Sequence, residues 1–125
     1  MKVIQHLKNK LIGQQKEQQA AAWLRKQGYE ILAENYLCRG GEIDLIGFKQ
    51  ASNQLIFFEV KYRKSTKYGH PAEFVTSQQQ QRIIRCAELF LLKHPLYQNA
   101  RMQFDVLTFV DDQALPVRIE NAFGQ

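Results

Sequence analysis

Residues 41–48, GEIDLIGF, and residues 54–63, QLIFFEVKYR, are apolar runs joined only by the short segment KQASN. Runs of this length rich in Ile, Leu, Val and Phe read as strands, and so short a link between them closes a hairpin. Side chains alternate across a strand with a period of two. On that rule Ile43 and Leu45 share one face, and Glu42, Asp44 and Ile46 share the other. In the second run Ile56, Phe58 and Val60 share a face, opposite Phe57, Glu59 and Lys61. A hairpin that aligns the charged faces brings Asp44, Glu59 and Lys61 together.

The rest of the chain supplies elements to cover such a hairpin. Residues 11–27 predict a helix with an apolar stripe of Ala20, Ala21, Trp23 and Leu24, stopped at Gly28. Residues 29–36 predict a strand and CRGG a turn. After a polar loop, Thr76 or Ser77 can cap a second helix reaching about Lys93, with Ile83, Ala87, Phe90 and Leu91 on its inner face. Residues 102–110 predict a further strand, and 116–123 a short edge strand. The order α-β-β-β-α-β predicts an α/β fold, a mixed sheet flanked by helices. Its 125 residues fit one domain, with 1–9 expected to be loosely held.

Charge narrows the partners. The net charge is +5 and the pI about 9.3, which suits a polyanion, nucleic acid first. Mean hydropathy is −0.41, and no apolar run approaches the length a bilayer requires. The first residues lack the apolar core of a signal peptide. Cys38 and Cys86 form no CxxC pair, so two free thiols in a reducing cytoplasm are expected.

The hairpin charges suggest a chemistry. Two carboxylates in a half-buried site repel and raise each other's pKa. A divalent cation removes that penalty, and Asp44 and Glu59 are hard oxygen donors suited to Mg²⁺ or Mn²⁺. Lys61 beside them can orient a water and stabilise charge on a phosphoryl group. The plainer alternative is a Glu59–Lys61 pair on a wet strand face with Asp44 exposed at an edge. Glu42 shares Asp44's face, as a supporting acid or an edge charge. Lys61, Arg63, Lys64 and Lys67 form a basic segment that could hold phosphates, with Tyr62 and Tyr68 available to stack on bases. His70 could flank the cleft. His6 and His94 lack partners at metal-ligand spacing, and Asp105 reads as structural.

GEIDLI followed by FFEVKYR, with GQQKEQQAAAWLRKQGYEILAENY before and FDVL after, resembles the YraN family of small bacterial proteins. That family is regarded as endonucleases similar to archaeal Holliday junction resolvases, within the PD-(D/E)xK nuclease superfamily. The likeness spans about Gly13 to Val110. It implies a restriction-endonuclease-like core, metal binding by Asp44 and Glu59, and a catalytic Lys61. It also implies that Glu17, on the first helix, faces the metal. Relatives often carry a lysine where this chain has Gln79 and an arginine where it has Gln103. Ile83 follows Gln79 by four, so the QxxxY pattern of RecB-like nucleases is absent. The expected function is a Mg²⁺-dependent endonuclease acting on DNA, branched or junction DNA included, with a homodimer suited to cutting two strands. Its rival is an inactive nucleic-acid-binding module with the same fold.

Overall fold

The computed structural model describes residues 2–64 and 75–124. Helix α1 spans Lys2–Lys26, and helix α2 spans Ser77–Lys93. The strands are β1 Glu30–Cys38, β2 Gly41–Lys49, β3 Gln54–Arg63, β4 Arg101–Val110 and β5 Val117–Phe123. They form one sheet in the order β1-β2-β3-β4-β5. The β3–β4 pair is parallel and the others antiparallel. A mixed sheet with flanking helices is an α/β fold, consistent with a restriction-endonuclease-like core.

Local chemistry sets the boundaries. Helix α1 ends where Gly28 adopts φ +95°. The Gly28 N–H donates to the Arg25 carbonyl and the Tyr29 N–H to the Leu24 carbonyl, a Schellman closure. Helix α2 starts in a capping box. Thr76 Oγ1 accepts from the Gln79 N–H, and the Thr76 N–H donates to Gln79 Oε1. Helix α1 begins well before the expected Leu11; residues 3–12 contain no Gly or Pro, and half of them are good helix formers.

Each helix covers one face of the sheet. Ala20, Ala21 and Leu24 of α1 pack with Leu45, Ile56, Phe58, Leu107 and Phe109. Ile83, Cys86, Ala87 and Phe90 of α2 pack with Ile43, Ile46, Phe57 and Phe104. Trp23 is half-buried against the α1 side.

Two expectations need correction. Ile43 and Leu45 do not share a face, since they join opposite clusters. Regular alternation fails at Asp44, where the flanking β1 residue Asn35 is left-handed at φ 51°. The β1–β2 register is kept across this point, with Tyr36 opposite Ile43 and Glu34 opposite Leu45, and the register shift of this pair lies between Ile31 and Ala33. Cys38 and Cys86 are not free thiols, because they are joined in a disulfide between the end of β1 and α2. Sequence spacing hid the pair: the two are 48 residues apart, yet 5.6 Å between Cα atoms. A disulfide removes the ground on which a reducing compartment was inferred. Among the described residues no helix is long and apolar enough to cross a membrane.

Candidate active site

The paired ladder between β2 and β3 ends at Leu45–Phe58. Beyond it β2 leaves β3, and the freed Val60 N–H donates instead to Asp44 Oδ2 at 2.8 Å. This bond holds the Asp44 carboxylate in the gap between the strands. Glu59 stands on β3 beside that gap, and Lys61 Nζ lies 3.6 Å from Glu59 Oε1. Glu17 reaches the cluster from α1, within interaction range of Asp44 and Asn35. Asp44, Glu59, Lys61 and Glu17 are therefore neighbours.

The acids disturb one another. Burial, then the Asp44 charge, pushes Glu59 up to about 8, while Lys61 pulls it back. Burial, then Asp44, pushes Glu17 up to about 7, opposed by a hydrogen bond from Asn35. Burial raises Asp44 as well, countered by the Val60 N–H and Lys61. Glu42 is raised by burial and by Asp44.

One consequence is testable. Unfolded, these carboxyls lose protons near 4.5; folded, Glu17 and Glu59 keep them to about 7 and 8. The folded protein thus binds more protons across that window, so stability falls as pH rises through it. The thermal midpoint without divalent cations is expected to drop between pH 5 and 8.5. Glu59→Gln should flatten the drop. A midpoint that climbs across this range contradicts the carboxyl cluster.

A cavity of about 430 Å³ opens beside Glu59, between the Gly40–Gly41 turn and the start of α2. Gln79 and Arg82 line its helix wall. A second opening of about 350 Å³ reaches Glu17 and Glu42 from the α1 side. Among the described residues, no three His, Cys, Asp or Glu are already gathered as metal ligands. The donor set is nonetheless all oxygen, and Glu59 Oε2 is buried without a hydrogen-bond partner. Asp44, Glu59 and Glu17 are the residues that could hold a hard cation.

The remaining candidates separate. Arg63 is half-buried and Lys64 exposed at the end of β3. Lys67, Tyr68 and His70 lie outside the described residues. Tyr62 is half-buried on the α1 side, with Lys16 Nζ 5.4 Å from its ring centroid. Asp105 is fully buried and structural. It accepts from Arg118 Nε at 2.8 Å, from the Asn121 N–H, and from Gln103 Nε2. Gln103 is thus committed to this network, and Gln79 to the α2 cap. Sequence reading missed Arg118, Asn35 and Arg82. Only Arg82 carried a signal, standing one helical turn after Gln79.

The model of the uncharacterised protein family UPF0102 matches residues 16–109, a span that contains all four clustered residues. This chain belongs to the UPF0102 family. A UPF0102 protein of Lachnoclostridium phytofermentans is 41% identical over 118 residues, covering 94% of this chain and 96% of the relative. UPF0102 protein ABAYE2669 of Acinetobacter baumannii is 40% identical over 114 residues, 91% of this chain and 84% of its own. A UPF0102 protein of Hahella chejuensis is 44% identical over 96 residues, covering 77% and 75%. UPF0102 is the same family as YraN, so the resemblance to YraN holds at the level of family.

Proposed function

We propose that this UPF0102 protein is a metal-dependent endonuclease that hydrolyses phosphodiester bonds of DNA, branched or junction DNA included. The observation that carries the reading is the gathering of Asp44, Glu59, Glu17 and Lys61 where β2 parts from β3. Four acids with raised pKa values crowd a half-buried cleft in which Lys61 offsets Asp44 and Glu59 but not Glu17 and Glu42, so a further cation would relieve them. Asp44, Glu59 and Glu17 would hold Mg²⁺ or Mn²⁺. The bound ion supplies Lewis acidity at the phosphate and a more acidic water. Lys61 is not a ligand. Its ammonium, steadied by Glu59, is a hydrogen-bond donor and positive charge for the phosphoryl oxygens.

The decisive experiment incubates the purified protein with linear, flapped and four-way junction DNA, with Mg²⁺ or Mn²⁺. Cleavage of any of these that chelator abolishes supports the reading. No cutting across the panel replaces it with the inactive binding module. Two-strand cutting calls for a two-fold dimer. The exposed apolar residues Val3, Ile4, Leu7 and Leu11 on α1 are the first surface to test for one. DNA also implies a cytoplasmic setting, in which the redox state of Cys38 and Cys86 becomes a point to measure.

The basic segment after β3 should supply affinity without sequence preference. Replacing Lys64 and Lys67 together by alanine is expected to weaken DNA binding. It should lower the slope of log affinity against log salt by about two, at roughly 0.9 per phosphate contact. An unchanged slope means the segment does not touch the backbone.

A further inference from the structure

We infer that Arg82 is a substrate-positioning residue, holding a DNA phosphate that neighbours the one presented to Asp44 and Glu59. The inference rests on the nuclease reading and adds a residue and a strand path to it. Arg82 lines the same cavity as Glu59 and, among the described residues, is the one cation in its lining. At about 430 Å³ the cavity falls within the range of small-ligand sites. Its other polar side chains are Glu42, Glu59 and Gln79.

Arg82 is exposed and forms no ion pair among the described residues. An unpaired guanidinium on the wall of an acid-lined cavity is available to an anion. The acids reject that anion until a cation covers them, so the arginine marks where its charge can rest. A guanidinium also offers a fork of donors matched to phosphate oxygens. Gln79, one turn earlier, is uncharged, and its side chain is held at the helix cap by the Thr76 N–H, so it cannot supply the charge that Arg82 does.

The helix wall that carries Arg82 is fixed. Gly41 on the opposite wall packs so closely that an added Cβ would lie 3.3 Å from the Arg82 carbonyl oxygen and 3.0 Å from Cys86 Sγ. The disulfide from Cys86 to Cys38 joins the two walls one turn further along α2. A strand lying across the mouth of this cavity would therefore meet Arg82 on a wall fixed relative to Glu59.

The test compares wild type, Arg82→Ala, Arg82→Lys and Lys93→Ala. Lys93 is an exposed cation in the last turn of the same helix and controls for bulk charge. Steady-state cleavage and metal-free binding across a salt series are measured on the DNA that wild type prefers. Arg82→Ala should raise KM about tenfold with kcat within about twofold, the size of one charged hydrogen bond. Its salt slope should fall by about one. Arg82→Lys should restore the slope but only part of the affinity, and Lys93→Ala should match wild type. The inference is overturned if Arg82→Ala keeps wild-type KM and slope, or if Lys93→Ala loses as much. If wild type cuts nothing, the nuclease reading fails, and the binding arm still decides the role of Arg82: unchanged affinity in Arg82→Ala overturns it.

Discussion

Asp44→Asn is expected to abolish metal-dependent cleavage, by about a thousandfold or more, while leaving the fold intact. The structure separates two jobs of this carboxylate. Its Oδ2 accepts the Val60 N–H at 2.8 Å, at the point where the β2–β3 ladder stops. An asparagine carbonyl can accept the same bond, so the strand junction survives. The lost charge is the other job. Asp44 raises Glu59, Glu17 and Glu42, so its neutralisation relieves all three. The thermal midpoint of Asp44→Asn without metal should therefore equal or exceed wild type near pH 8. Asp44→Ala should differ, because it strands a part-buried N–H at a cost of about 1–3 kcal/mol. DNA affinity without metal should hold or tighten slightly in Asp44→Asn, since one negative charge has gone. Lys61→Ala should also lose cleavage, by about a hundredfold or more, yet retain Mn²⁺ binding by calorimetry, since the ammonium is not a ligand. If Asp44→Asn cuts as well as wild type, the metal site lies elsewhere.

Much of this architecture was legible because its strands are strongly apolar and its turns carry their own chemistry. β3 begins at Gln54 and ends at Arg63 as its composition suggests, and Gly28 and Thr76 mark helix ends by physical roles that sequence displays. What failed was regularity. The period-two rule holds along β3, where Phe58 and Phe57 reach opposite clusters, but it breaks at Asp44. Asparagine tolerates the left-handed backbone that Asn35 adopts at the break, but its place inside a strand-like run gives no sign that it does so. The convergence of Asp44 with Glu59 therefore came out through a different geometry from the aligned hairpin faces first inferred. Glu17 was invisible to residue reasoning, since one acid on a polar helix has no period to betray it, and it entered only through the family resemblance. Arg118 was hidden for the opposite reason: its partners Asp105 and Tyr29 lie far off in sequence.

The same distance problem concealed the disulfide, and its removal carries the largest stability effect expected here. Cys38 and Cys86 close a loop of 48 residues that contains β2, β3 and the start of α2. Cross-linking so long a loop removes much of the freedom of the unfolded chain. By chain entropy it should stabilise the fold by about 4 kcal/mol. For a domain of this size that corresponds to a melting midpoint lowered by roughly 15 °C on reduction. The measurement is thermal unfolding of the oxidised wild type, of wild type in dithiothreitol, and of a Cys38→Ser/Cys86→Ser variant. Both of the latter should melt well below the oxidised protein, and the variant should ignore the reductant. There is a second readout, because the bond also ties the Gly40–Gly41 turn to the helix bearing Arg82. Loosening the two walls should raise KM more than it lowers kcat, since Asp44, Glu59 and Lys61 sit on β2 and β3 and not on α2. Equal midpoints with and without reductant would show that the two cysteines do not brace the fold.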